Sequence, residues 1–229
     1  MRRATAPRLT LLIASTIAAA AVAAAAAACS KDAPTAAAAH SEEAAMAGMD
    51  HSAEAAATRG RGVWGSAVLA ELAQVRRLTA TYHDLDKAIA AGYTVWSPNP
   101  FAPNATCPSS AEGNMGYHLV NVALRGGAAV PANGDAVIDP MQPEMLLYEK
   151  RADGQMHLVG VEYIVFQAAW ERVHGAGAAP PTVFGQPLLY SVHTFPGNPN
   201  PIPHYELHVW IWSNNPLGMF YPWNPTVTC

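Results

Sequence analysis

The sequence predicts an α+β fold, an N-terminal amphipathic helix packed on an antiparallel β-sheet or partly closed β-barrel. Three observations carry this. One long helical pattern opens the folded part, and several short β patterns follow it, in the order expected of an α+β domain. Two of those β patterns are joined by a tight turn, as in a hairpin. All six tryptophans and all eight tyrosines lie between Trp64 and Cys229, so that stretch alone holds enough apolar surface for one core. The domain is accordingly placed at residues 63–229.

The helix is read from Val68, Leu72, Val75, Leu78, Tyr82, Leu85 and Ile89, which recur at three- and four-residue steps and so share one face. Ser66 is the expected N-cap and Gly92 the expected stop. A span this long invites a break near Thr79-Ala80-Thr81. Ser97 to Gly113 is rich in Pro, Asn and Ser and reads as loop. Met115 to Leu124 alternates and reads as a strand. Glu144 to Lys150 and Gln155 to Gln167 form the hairpin around Ala152-Asp153-Gly154. Leu188 to Thr194 is a further strand. Tyr205 to Trp212 is dense in β-branched and aromatic residues, as strands are. The tail from Asn214 is expected to pack without regular structure, pinned at its end by Cys229.

Upstream of the domain, Arg2, Arg3 and Arg8 precede an apolar run from Leu9 to Val22 and an alanine tract ending in Ala26-Ala27-Ala28-Cys29. Charge, apolar run and small residues stand in the order of a secretory signal peptide, placed at residues 1–28. The segment resembles a bacterial lipobox with Cys29 as the lipidated first residue, although Ala26 stands where leucine is usual. Simple cleavage after alanine and an uncleaved single-pass anchor are the alternatives. The expected location is a lipid anchor on the cell or outer membrane, facing the periplasm or the exterior. Lipidation of Cys29 would leave Cys107 and Cys229 of the three cysteines as a disulfide pair, suited to an oxidising compartment.

Residues 29–62 read as an alanine-rich disordered linker, with too little large apolar surface to offset the entropy of ordering. Removing the leader takes three arginines and leaves 10 basic against 17 acidic residues, a net charge of −7. Such a chain has no basic footprint for nucleic acid and no charge-driven attraction to anionic lipid.

The densest chemistry lies in His204-Tyr205-Glu206-Leu207-His208-Val209-Trp210. Alternate side chains of a strand share a face, so His204, Glu206, His208 and Trp210 point one way. At about 3.4 Å per residue, His204 and His208 are roughly 13 Å apart along the strand, too far for one ion to take both easily. Ligands from neighbouring strands are needed, and His118 and Glu162 are the candidates. Glu162 stands in the apolar run Leu158 to Val165, where a carboxylate requires a cation, a metal or donors unless it faces water. The candidate set is therefore His118, Glu162, Glu206 and His208, with His204 as the alternate, and the expected cofactor is one divalent transition metal, zinc or copper foremost. A metal-free pocket in which Tyr117, Trp210 and His193 contact a small molecule or envelope component is the competing reading. A metal-dependent hydrolase or oxygenase on the same residues is a third. In the linker, Met46, Met49 and His51 offer copper ligands, against the plain reading of a tether. No nucleophile elbow, zinc helix or phosphate-binding glycine loop appears.

The order of motifs resembles a family of uncharacterised exported bacterial proteins. The residues that carry this are Ala91-Gly92-Tyr93, Asn114 to His118 (with Asn114 for the family's first glycine), Pro143 to Tyr148, Gly160 to Tyr163, His204 to Trp210, Asn215 to Phe220 and Trp223 to Pro225. The resemblance spans nearly all of the folded domain. It implies the domain boundaries and an extracytoplasmic setting, with the activity left open.

Overall fold

The computed structural model describes residues 64–127, 134–195 and 198–229. The signal peptide, Cys29, the linker and its Met46, Met49 and His51 lie outside the described residues. Among those described, no helix is long and apolar enough to cross a membrane.

Helix α1 (Ser66–Thr79) is followed by a 3₁₀ turn (Ala80–His83) and a short helix α2 (Leu85–Ala90). The helical face thus breaks at Thr79, whose hydroxyl turns back to donate to the Val75 carbonyl at 2.9 Å. Gly65, not Ser66, occupies the N-cap position, with no side-chain hydrogen bond. Gly92 ends the segment with φ +96°, a conformation that favours glycine.

Among the described residues, ten strands follow: β1 (Tyr93–Ser97), β2 (Ser109–Ser110), β3 (Gly113–Asn114), β4 (Tyr117–Asn121), β5 (Met145–Lys150), β6 (Met156–Phe166), β7 (Thr182–Val183), β8 (Gln186–Pro187), β9 (Leu189–Phe195) and β10 (Asn198–Val209). Helix α3 (Gln167–His174) leads out of β6. The main sheet has six strands in the order β1-β4-β5-β6-β10-β9, and every neighbouring pair is antiparallel. The fold is α+β with an antiparallel sheet.

Several boundaries differ from the sequence reading, each for a local reason. The strand expected over Met115 to Leu124 stops at Asn121, because its Oδ1 accepts the backbone N–H groups of Ala123 and Leu124 and starts a turn. The strand expected from Tyr205 begins seven residues earlier, at Asn198, with a register shift against β9 between Asn198 and Ile202. Pro201 and Pro203 lie in this part, where prolines withhold ladder donors. It ends at Val209, as the Trp210 N–H donates to Met219 O instead of a ladder partner. Strand β1 and helix α3 are not among the elements that the sequence predicts.

The edge strands β1 and β9 are partly exposed, whereas along the central strands β4, β5 and β6 both faces of the sheet are buried. One carries Tyr117, Leu119, Tyr148, Tyr163, Tyr205 and Leu207 in a core shared with Leu72 and Val75 of α1. The other carries Val120, Met145, Ile164, Phe166, Phe195 and Ile202. This explains why β6 reads as an almost unbroken apolar run instead of an alternating one. The tail lies partly over the second face. Val227 packs with Leu147, Val159 and Trp210, the Trp210 indole donates to Tyr221 O at 2.6 Å, and Asn114 and Asn224 exchange backbone hydrogen bonds of 3.1 and 3.0 Å. The Cys107–Cys229 disulfide, with Cα atoms 5.6 Å apart, fixes its end.

Candidate metal centre

The register of the sheet decides which polar side chains can meet. On the second face, His208 of β10 stands directly across from Glu162 of β6, and Glu162 from Met145 of β5. His118 of β4 is paired with Leu147, one residue pair away on the same face. Over this face His118, Glu162 and His208 converge. His118 Nε2 is 3.1 Å from Glu162 Oε2 and 3.4 Å from His208 Nε2, and His208 Nε2 is 3.9 Å from Glu162 Oε2.

These spacings have a chemical meaning. An ion holding ligands at 2.0–2.2 Å in tetrahedral geometry keeps them roughly 3.3–3.6 Å from each other. The three donor atoms straddle that range. Glu162 is 2 % exposed, and its Oε2 has no hydrogen-bond partner among the described residues, although His118 Nε2 lies within ion-pair distance. A buried carboxylate oxygen without a hydrogen bond is costly. His118 Nδ1 faces the Ser97 carbonyl at 3.2 Å. Donation there places the ring proton on Nδ1 and turns the Nε2 lone pair into the site, the usual outer support of a metal-bound imidazole. The Nε2 lone pair of His118 then faces the Glu162 carboxylate beside His208 Nε2, and a cation among the three atoms could be held by them. His208 is supported by Trp210, whose ring stacks on it with centroids 6.0 Å apart. Gly160 makes room for that indole: a Cβ there would lie 3.3 Å from Trp210 and 2.8 Å from Val209 O.

A second triad lies farther along the same face. His193 of β9 and His204 of β10 both direct Nε2 at Glu206 Oε2, at 3.3 and 3.0 Å. Burial alone would push the Glu206 carboxyl up, but hydrogen bonds from His193 and His204 and their charge outweigh it and hold it well below the usual carboxylate range. Burial pulls the His193 imidazole down, and the hydrogen bond and charge of Glu206 reverse this, leaving it raised. The charge of Glu162 adds to that rise, so the two triads are electrostatic neighbours.

The five metal candidates from the sequence are thus divided. His118, Glu162 and His208 form one group, and His204 and Glu206 join His193 in another. Both groups could hold a metal ion. The wet-face alternative for Glu162 is overturned by its burial. The pocket grouping of Tyr117, Trp210 and His193 is not assembled. Tyr117 points to the helix-covered core and donates to Ala105 O, Trp210 packs under the tail, and His193 belongs to the second triad. A groove of about 350 Å³ does reach Trp210, beside Arg76, Trp212 and Met219. His193 could have been assigned correctly only from the β9–β10 register, in which it faces Ile202. Searches against protein families, curated proteins and solved structures give no match to this chain.

Proposed function

We propose that this is an exported, lipid-anchored bacterial protein whose domain binds a divalent transition metal through His118, Glu162 and His208. The observation that carries the reading is the convergence of Glu162 Oε2 with two imidazole Nε2 atoms at 3.1–3.9 Å in a buried place where the carboxylate oxygen accepts no hydrogen bond. Two imidazoles and one carboxylate suit zinc, copper, iron or manganese. Export and anchoring through Cys29 rest on the leader sequence, and the Cys107–Cys229 disulfide suits an oxidising compartment. The order of motifs along the domain supports, as part of this reading, membership in the family of exported bacterial proteins that it resembles.

Three protein ligands leave a coordination position open. Catalytic zinc sites and non-haem iron oxygenase sites share that ligand number, whereas structural zinc sites are closed by four. This favours, as a second reading, a metal-dependent hydrolase or oxygenase. The test is metal content by mass spectrometry on the full chain, exported to an oxidising compartment without a histidine tag. Loss of one equivalent of metal in folded His208→Ala and Glu162→Gln variants supports the centre. An unchanged number of equivalents in both folded variants would refute it.

A further inference from the structure

We propose that His193, His204 and Glu206 hold a divalent transition-metal ion of their own, so that the domain carries two metal sites side by side on one sheet face. The inference goes beyond the first centre and is decided separately from it.

His204 Nδ1 lies 2.7 Å from Ile202 O, and His193 Nδ1 lies 3.2 Å from Thr194 O. A carbonyl only accepts, so a ring with its proton on Nδ1 satisfies it. In that tautomer each Nε2 lone pair faces the same carboxylate oxygen, at 3.0 and 3.3 Å, with the rings 4.2 Å apart and His204 fully buried. A divalent ion among the three donor atoms satisfies both lone pairs and the carboxylate while both rings stay neutral.

The geometry agrees. The three donor atoms all lie within 4.8 Å of one another, and the two spacings to Glu206 Oε2 fall near those of adjacent ligands around an ion at 2.0–2.2 Å. Both Nδ1–carbonyl contacts are the outer support expected of metal-bound imidazoles. A further oxygen stands on the same face. Ser191 is the cross-strand partner of His204, and its Oγ is buried with no hydrogen-bond partner among the described residues. The His193 side chain is 18 % exposed, against 1 % for His208 and 3 % for Glu162, so the second site has the more open ligand and should exchange its ion faster.

The experiment is a cobalt(II) titration of the full, exported, tag-free chain after removal of metal by chelator. It is followed by absorption and by metal content after desalting, with circular dichroism as the check of folding. The expected result is two equivalents in the wild type, one in His193→Ala and one in His208→Ala. One equivalent that is unaffected by His193→Ala overturns the second site and leaves the first. One equivalent lost in both single variants overturns it as well, because the residues would then share one ion. One equivalent lost in His193→Ala but kept in His208→Ala upholds this site and overturns the first centre. Should His193→Ala fail to fold, the wild-type stoichiometry decides: two equivalents uphold the proposal and one overturns it.

Discussion

His118 Nε2 and His208 Nε2 face each other at 3.4 Å, although their strands are separated in the sheet by β5 and β6. At 4.7–4.9 Å per strand, their backbones would be about 14 Å apart in a flat sheet. Both side chains therefore lean inward over Glu162, where the sheet positions them and Trp210, just past the end of β10, stacks on His208. A site carried on paired strands is held more rigidly than one on loops, which suits a preformed metal centre.

Metal should stabilise the fold by linkage. At a free-ion concentration 100 times the dissociation constant, a single site adds about 2.7 kcal/mol. Glu162→Gln should weaken binding by more than about 100-fold, since even outer-shell changes cost 10–100-fold. The metal-free variant should be as stable as the metal-free wild type or more so, because a buried charge has been removed. Thermal melts with and without zinc measure both. An unchanged zinc-induced shift in the variant contradicts the assignment of Glu162.

Gly160→Ala should loosen the centre without touching a ligand. The added Cβ would stand 2.8 Å from Val209 O, 3.2 Å from Leu147 Cδ1 and 3.3 Å from Trp210. Overpacking of this kind costs about 1–3 kcal/mol. The displaced Trp210 also stacks on His208, so metal affinity should fall together with stability. Denaturant melts and a metal titration on the same variant check the pair of effects.

Glu144 should make stability fall as pH rises. Burial raises its carboxyl well above the usual range, although backbone hydrogen bonds, including that from the Ile164 N–H at 3.2 Å, oppose this. In the unfolded chain a glutamate titrates near 4.3. Above that pH the unfolded state loses its proton while the folded state keeps it. The unfolded state then binds fewer protons, and stability decreases with rising pH until the folded group also ionises. Glu144→Gln removes this slope, so the variant should gain on the wild type at pH 7–8 but not at pH 4. Urea melts across that range give the comparison.

Removing the Cys107–Cys229 bridge should cost about 2–4 kcal/mol. The bridge spans 122 residues and ties down the tail, whose Val227 packs with Leu147 and Trp210. The double Cys→Ala variant should therefore lose metal affinity as well as stability. Chemical denaturation and metal retention on that variant are the readouts.

The α+β class was legible because hydrophobic spacing differs between α1 and the strands. The hairpin of β5 and β6 was equally legible, since Gly154 (φ +80°) closes a tight turn between two dense β patterns. The members of the site were legible one by one: a glutamate at 162 inside an apolar strand, and His204, Glu206 and His208 at alternate positions of β10. Their grouping was not. It depends on register, and pairing His208 with Glu162 and Ile202 with His193 is set by contacts far apart in sequence. A shift of one residue reverses every face. Strand β1 was hidden because Tyr93–Ser97 is short and runs into the Pro- and Asn-rich loop. Helix α3 was hidden because it begins directly where β6 ends.

The most direct test is diffraction from crystals of the zinc-loaded chain, with data on both sides of the zinc absorption edge. If the three residues hold the ion, an anomalous peak lies about 2.0–2.2 Å from His118 Nε2, His208 Nε2 and Glu162 Oε2. Zinc-soaked crystals with no peak among these three atoms, and with Glu162 hydrogen-bonded to protonated imidazoles instead, would contradict this assignment.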